Sequence, residues 1–273
     1  MTLLNNQFVP ISNITGNCVN SLSDSEIELL ISDISSLTQD EKKFIENHLV
    51  EISKGLGSPY PVKTIANKIY QTLCKFDRTT PTVTGLKDPR INSGFAAEFF
   101  LICILRDNNF EQQFCYRNLE ENSAKKGFDG VYTKHGEIWL VESKSTHTYG
   151  NNHKTTIKRA YDGINDQLSG NTSNDPWENA VSHVKASTSD KSLEAKLVKY
   201  SVDYMNEDYI KLSESNLIIG STVVKQNLGN YYNDVQNIED CIKNHKTMNE
   251  KIVAINLSDQ QIFIDVMEEI ANG

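Results

Sequence analysis

Lys126-Gly127-Phe128-Asp129-Gly130, and after it Ile138-Trp139-Leu140-Val141-Glu142-Ser143-Lys144, decide the fold. Lys134-His135-Gly136-Glu137 lies between them and reads as a tight turn, with glycine where a positive φ is tolerated. A two-residue loop at His135-Gly136 pairs Lys134 with Glu137 and Thr133 with Ile138. Continuing the count outward sets Asp129 opposite Glu142. Directly opposed strand residues carry their Cβ atoms roughly 5 Å apart on one face of a sheet. Two carboxylates there repel and destabilise the hairpin unless a cation lies between them. Lys144 projects from the same face as Glu142, because strand side chains alternate. Two carboxylates and an ammonium at one point suit a hard cation, a phosphate and a water.

Working outward, the chain has 273 residues, enough for one large or two modest domains with a proper core. A hydrophobic content of 38% and a mean hydropathy of -0.45 fit a soluble globular protein. No apolar run approaches the ~18 residues needed to span a membrane. The first fifteen residues lack the basic start and apolar core of a signal peptide. Cys18, Cys74, Cys103, Cys115 and Cys241 are scattered without a C-x-x-C pair. That pattern disfavours a zinc ribbon and a disulfide framework, and favours a reducing cytoplasm.

The net charge is -9, which is wrong for binding nucleic acid by bulk electrostatics alone. The charge is unevenly spread, however. Residues 1–60 carry eight acids against three lysines, whereas residues 122–160 carry seven Lys/Arg against three acids. The surroundings of the carboxylate pair are thus the basic part of an acidic chain, a bias that an ordinary solvated surface also produces.

Capping-box patterns at Ser23-Asp24-Ser25-Glu26 and Thr38-Gln39-Asp40-Glu41 predict two helices across residues 22–54. A third is expected from about Val62 to Phe76, with Ile65, Ile69 and Leu73 on one face. Residues 77–90 hold Pro81 and Pro89 and read as a loop. A buried helix is expected from Ser93 to Arg106, a strand from Phe114 to Leu119, then the hairpin. Residues 153–168 read as helix, and residues 177–209 as helix with a break near 187–190. Residues 217–224 and 251–257 read as buried strands, with a final helix capped by Ser258-Asp259-Gln260-Gln261. The order predicts an α/β core with a mixed β-sheet flanked by helices over residues 81–273. Residues 1–80 are expected to form a helical N-terminal extension, whose acidity suits contact with a partner.

Glu98 stands in the apolar helix Gly94-Phe95-Ala96-Ala97-Glu98-Phe99-Phe100, where a carboxylate needs a partner or a polar cavity. An acidic helix residue, then Gly127-Phe128-Asp129 opening a hairpin, then Glu142-Ser143-Lys144 resembles the PD-(D/E)xK nucleases. Phe128 holds the place of that superfamily's usual proline. The resemblance implies a restriction-endonuclease-like core and Mg²⁺- or Mn²⁺-dependent hydrolysis of DNA. In it Asp129, Glu142, the Ser143 carbonyl and Glu98 would hold the ion, and Lys144 would act on the water and the phosphate. Gln167 resembles the glutamine motif of the RecB-like branch, although Asn171 stands where a tyrosine is expected. Lys126, Lys154, Lys158 and Arg159 are the candidate DNA contacts.

More narrowly, the length, the helical lead-in, Phe-Asp-Gly and Val-Glu-Ser-Lys-Ser before a basic helix are similar to the nuclease subunit of Hachiman anti-phage systems, the HamA type. That resemblance implies a superfamily 2-type helicase partner, DNA as target and no membrane. Two alternatives remain: a stand-alone restriction-type endonuclease, and a catalytically silent nuclease-fold module regulating a helicase. Plainer readings stand beside the site. Asp129, Glu142 and Lys144 also read as a surface ion-pair cluster, and Glu98 as a core carboxylate paired with Arg106 or Lys125. His147 and His153 are expected to face solvent, Tyr149 to be packed in its loop, Trp177 to anchor a helix, and Cys115 to be a buried thiol.

Overall fold

A computed structural model describes residues 2–77, 89–116, 127–148, 150–187, 190–225 and 232–273. The strands are β1 (Val9–Pro10), β2 (Glu28–Ile34), β3 (Glu111–Gln112), β4 (Gly130–Lys134), β5 (Glu137–Thr146), β6 (Asn216–Val224) and β7 (Asn249–Leu257). The helices are α1 (Ser12–Thr15), α2 (Gln39–Lys54), α3 (Val62–Asp77), α4 (Pro89–Asp107), α5 (His153–Leu168), α6 (Pro176–Ser187), α7 (Lys191–Met205), α8 (Tyr232–Ile242) and α9 (Gln261–Asn272). All seven strands form one sheet in the order β1-β2-β7-β6-β5-β4-β3. Strands β2, β7, β6 and β5 are mutually parallel, and the outer pairs are antiparallel.

Chain chemistry accounts for this plan. His135 and Gly136 both adopt left-handed backbone, with φ of 52° and 80°. That is the two-residue turn whose twist matches a hairpin, and it fixes Lys134 opposite Glu137. The parallel pairs need crossover connections, which helices α5 to α7 supply between β5 and β6, and α8 between β6 and β7. Strand β6 is buried at all but its last position, as a central strand covered on both faces must be.

The sheet separates two cores. Leu30, Tyr132, Trp139, Val141, Ile218, Val253 and Ile255 face helices α2, α3, α4 and α9. Leu29, Val131, Leu140, Leu217, Ile219, Ile252 and Ala254 face helices α5 to α8. Alternation along β5 therefore places Glu142 and Lys144, in step with Leu140, on the α5 face.

Helices α2, α3, α5 and α9 lie where the sequence places them. The capping box closes as read, with Thr38 Oγ1 accepting from the Glu41 N–H and the Glu41 carboxylate accepting from the Thr38 N–H. The helix expected after Ser23 is instead β2. Ile27, Leu30, Ile31 and Ile34 have helical spacing, yet the segment pairs along its whole length with β7, so tertiary pairing overrides local pattern. The strand expected from Phe114 does not form at residues 114–116; β3 lies just before it, at Glu111–Gln112. Beyond β3 the Tyr116 N–H donates to Ile52 O of α2 at 2.7 Å and draws the chain away from the ladder. Residues 117–119 of that expected strand and residues 78–88 of the expected loop lie outside the described residues, while the ends of that loop are helical, Asp77 closing α3 and Pro89 opening α4. Among the described residues no helix is long and apolar enough to cross a membrane.

Candidate active site

The hairpin register ends at Gly130 opposite Val141, so the next step outward is Asp129 against Glu142, as the turn count requires. The Asp129 carboxylate accepts the Ser143 main-chain N–H at 2.8 Å. The residues before it are held firmly. Gly127 has φ of +131°, and a Cβ there would lie 3.2 Å from Pro176 Cα and Asn179 Nδ2. The left-handed backbone there favours glycine, and any larger residue would also press on Pro176 and Asn179. Phe128 is fully buried and meets Trp177 edge-on at 4.9 Å. A buried aromatic anchor thus stands in the proline's place, and Trp177 does secure α6 to the core.

Lys144 lies between the two acids. It hydrogen-bonds Glu142 Oε1 and stands 3.9 Å from Asp129 Oδ2. Burial works against its charge, the Glu142 and Asp129 carboxylates outweigh burial, and Arg159 opposes them. The net result is a pKa above the ordinary lysine value. The Glu142 residue is only 3% exposed, so these are interactions of a sheltered cluster and not of a solvated surface.

Helix α5 forms the wall opposite the strands. Asn152 caps it by accepting the Thr155 N–H. Arg159, Gly163 and Gln167 fall four residues apart on one stripe. Arg159 is the residue whose charge Lys144 feels. A Cβ at Gly163 would lie 3.8 Å from Glu142 Oε1. The Gln167 Oε1 atom is buried and takes no hydrogen bond among the described residues. Lys154 and Lys158 are exposed on the same helix, with Lys158 paired to Asp162 at 2.6 Å. Lys126 and Tyr149 lie outside the described residues.

Glu98 is half-buried on α4, which packs on the other face of the sheet. Burial pushes the Tyr116 and Tyr132 phenols upward, and the neighbouring Glu98 charge adds to the effect. The structure therefore brings Asp129, Glu142, Lys144 and the Ser143 backbone together and sets Glu98 on the far side.

His153 departs from the solvent-facing reading. It is 1% exposed at the first position of α5. Its Nδ1 lies 2.7 Å from Ser221 Oγ, and its Nε2 lies 3.1 Å from Asn256 Oδ1. Asn256 Nδ2 donates to Asp33 at 2.8 Å, which leaves Oδ1 to accept. The proton of the neutral ring is then on Nε2, and Ser221 donates to Nδ1. Burial holds this imidazole below its usual pKa. Ser221 is the β6 register partner of Lys144, so one polar chain runs from Asp33 on β2 to the edge of the site. Loop composition masked this role, and the only sequence signal was the asparagine cap directly before the histidine. Cys115 is the buried thiol expected.

The donor set suits a small hard cation. Two carboxylates and a main-chain carbonyl are oxygen ligands, and magnesium takes few of these while keeping several waters. Among the described residues no group of three or more His, Cys, Asp or Glu side chains is placed to hold a metal. Such a site would therefore depend on Asp129 and Glu142 with water and substrate. Gly163 presents no side chain toward the Glu142 carboxylate.

Comparison with known proteins gives one family. The HamA family model matches residues 21–271. No curated protein and no solved structure matches the chain. The match covers strands β2 to β7, both helical layers and every site residue named above, so the chain belongs to the HamA family, a component of Hachiman anti-phage defence.

Proposed function

We propose that this chain is a metal-dependent DNA nuclease acting as the effector of its defence system alongside a superfamily 2-type helicase. The observation that carries the reading is the sheltered Asp129–Glu142–Lys144 cluster on one face of a hairpin. An acidic pair with an ammonium between them is costly to fold for stability alone, and the arrangement fits phosphodiester hydrolysis.

Asp129 and Glu142 would hold Mg²⁺ or Mn²⁺ with the Ser143 carbonyl. The ion supplies water activation and neutralises charge on the scissile phosphate. Lys144 orients the attacking water and meets the charge that develops on the phosphate oxygens. Arg159, one helix face away, draws the phosphate backbone toward the pair, with Lys154 and Lys158 extending the basic track. The acidic balance of the whole chain leaves most of the DNA affinity to the partner.

The test is protection from phage in cells carrying this chain together with the proposed helicase partner. Glu142→Ala with Lys144→Ala should abolish protection while the two proteins still co-purify. Full protection by the double variant would exclude catalysis here. Protection without the helicase would exclude the two-component reading.

A further inference from the structure

Glycine at position 163 is out of place by helix chemistry. Next to proline it is the poorest residue in a helix interior, and Gly163 lies in the third turn of the sixteen-residue α5. The usual reasons for a helical glycine are absent. It is not among the residues with positive φ. Among the described residues outside its own helix turn, a Cβ built there meets a single heavy atom within 4 Å, Glu142 Oε1, at the ordinary contact distance of 3.8 Å. Gly220 on β6 is the contrast, since a Cβ there would collide with Leu101. Packing thus requires a glycine at 220 and does not require one at 163. What an alanine at 163 would change is the space alongside the Glu142 carboxylate.

We propose that Gly163 is a positioning residue that keeps bare backbone beside Glu142 so that the hydration shell of a divalent ion fits between α5 and β5. The inference rests on the metal-dependent reading above and deepens it. Magnesium-like ions keep several waters when bound by few carboxylates, and those waters need volume on the side away from the ligating oxygens. Lys144 Nζ already bonds Glu142 Oε1 from the strand side, so the same oxygen has the lysine amino group on one flank and Gly163 on another. On the α5 flank Oε1 faces the Gly163 backbone, and a methyl group there would stand in contact with that oxygen. A glycine that served only the fold would lose nothing to alanine here, and the helix would gain.

The experiment uses the full chain, with Mn²⁺ as the probe, and compares wild type, Gly163→Ala, Glu142→Gln and Asn165→Ala. Asn165 is exposed on the same helix and controls for helix stabilisation alone. Each protein is melted without metal and then titrated with Mn²⁺ by calorimetry. The expected result is that Gly163→Ala melts higher by roughly 2 °C and binds Mn²⁺ at least tenfold more weakly. Asn165→Ala should bind as wild type. Wild-type affinity in Gly163→Ala, with binding lost in Glu142→Gln, overturns this inference and leaves the metal reading standing. A lower melting temperature for Gly163→Ala also overturns it, because the glycine then serves packing. Absence of Mn²⁺ binding in wild type removes the metal reading and this inference together.

Discussion

The Asp129 carboxylate accepts the main-chain N–H of Ser143 at 2.8 Å, so one candidate ligand is held by the strand that carries the other. The bond spans the open end of the hairpin, one step past the last ladder pair, Gly130 with Val141. A hydrogen bond to a charged group contributes about 1.5–3 kcal/mol. Asp129→Asn keeps an acceptor oxygen and Asp129→Ala does not. Denaturant titration should therefore find Asp129→Ala at least about 1 kcal/mol less stable than Asp129→Asn. Equal stabilities would show that the contact does not hold the hairpin end. Both variants should lose cleavage.

Phe128 stands where the resembling nucleases carry proline, and it acts through burial instead of backbone restriction. It is fully buried against Trp177. Phe128→Ala should cost about 3–5 kcal/mol, read as a lower denaturant midpoint at unchanged slope. A loss below about 1 kcal/mol would mean that the contact closes without the ring.

Arg159 offers a salt-dependent test. If it meets a phosphate, Arg159→Ala should weaken DNA binding similarly across sequences. The slope of log affinity against log salt should fall by about one. An unchanged slope would place Arg159 off the DNA path and leave it as a modulator of Lys144 alone.

His245 makes stability fall with rising pH. It stacks on Tyr161 at 3.8 Å and sits 2.7 Å from Glu250. Burial works against its charge, but the neighbouring Cys241 thiol and Glu250 carboxylate outweigh that and raise the pKa to about 9. The folded value lies above the unfolded one. Its contribution, on the order of 3 kcal/mol, is therefore complete below about pH 6.5 and lost as pH rises through about 9. Lys251, lowered to about 8 by burial, titrates with the opposite sign. The difference between wild type and His245→Gln isolates the histidine. That difference should shrink from pH 6.5 to pH 9.5, and a constant difference would contradict the assignment.

The amino-acid sequence is most legible where geometry is local. A two-residue turn fixes a register by counting, so the pairing of Asp129 with Glu142 follows from residue order alone. The cap at Thr38 and the bounds of α5 follow from equally local chemistry. Long-range choices are not legible in this way. Residues 27–34 satisfy helical spacing and strand branching together, and only pairing with β7 decides between them. Glu98 lies on the helix expected for it, but a helix pattern does not say which face of a sheet it covers. Helix α8 is absent from the sequence reading, although two parallel strands in succession demand a crossover. The glycine at 163 is visible as an irregularity inside an otherwise regular helix, but acquires meaning only beside Glu142.

The most direct measurement is cleavage of linear and circular DNA by the purified chain, alone and with the helicase proposed as its partner, in Mg²⁺ or EDTA, against Glu142→Ala/Lys144→Ala. The expected result is cleavage that needs the metal, disappears in the double variant and increases with the helicase. Cleavage that persists in the double variant, or absence of cleavage under every condition while the helicase remains bound, would contradict the assignment of catalysis to this cluster.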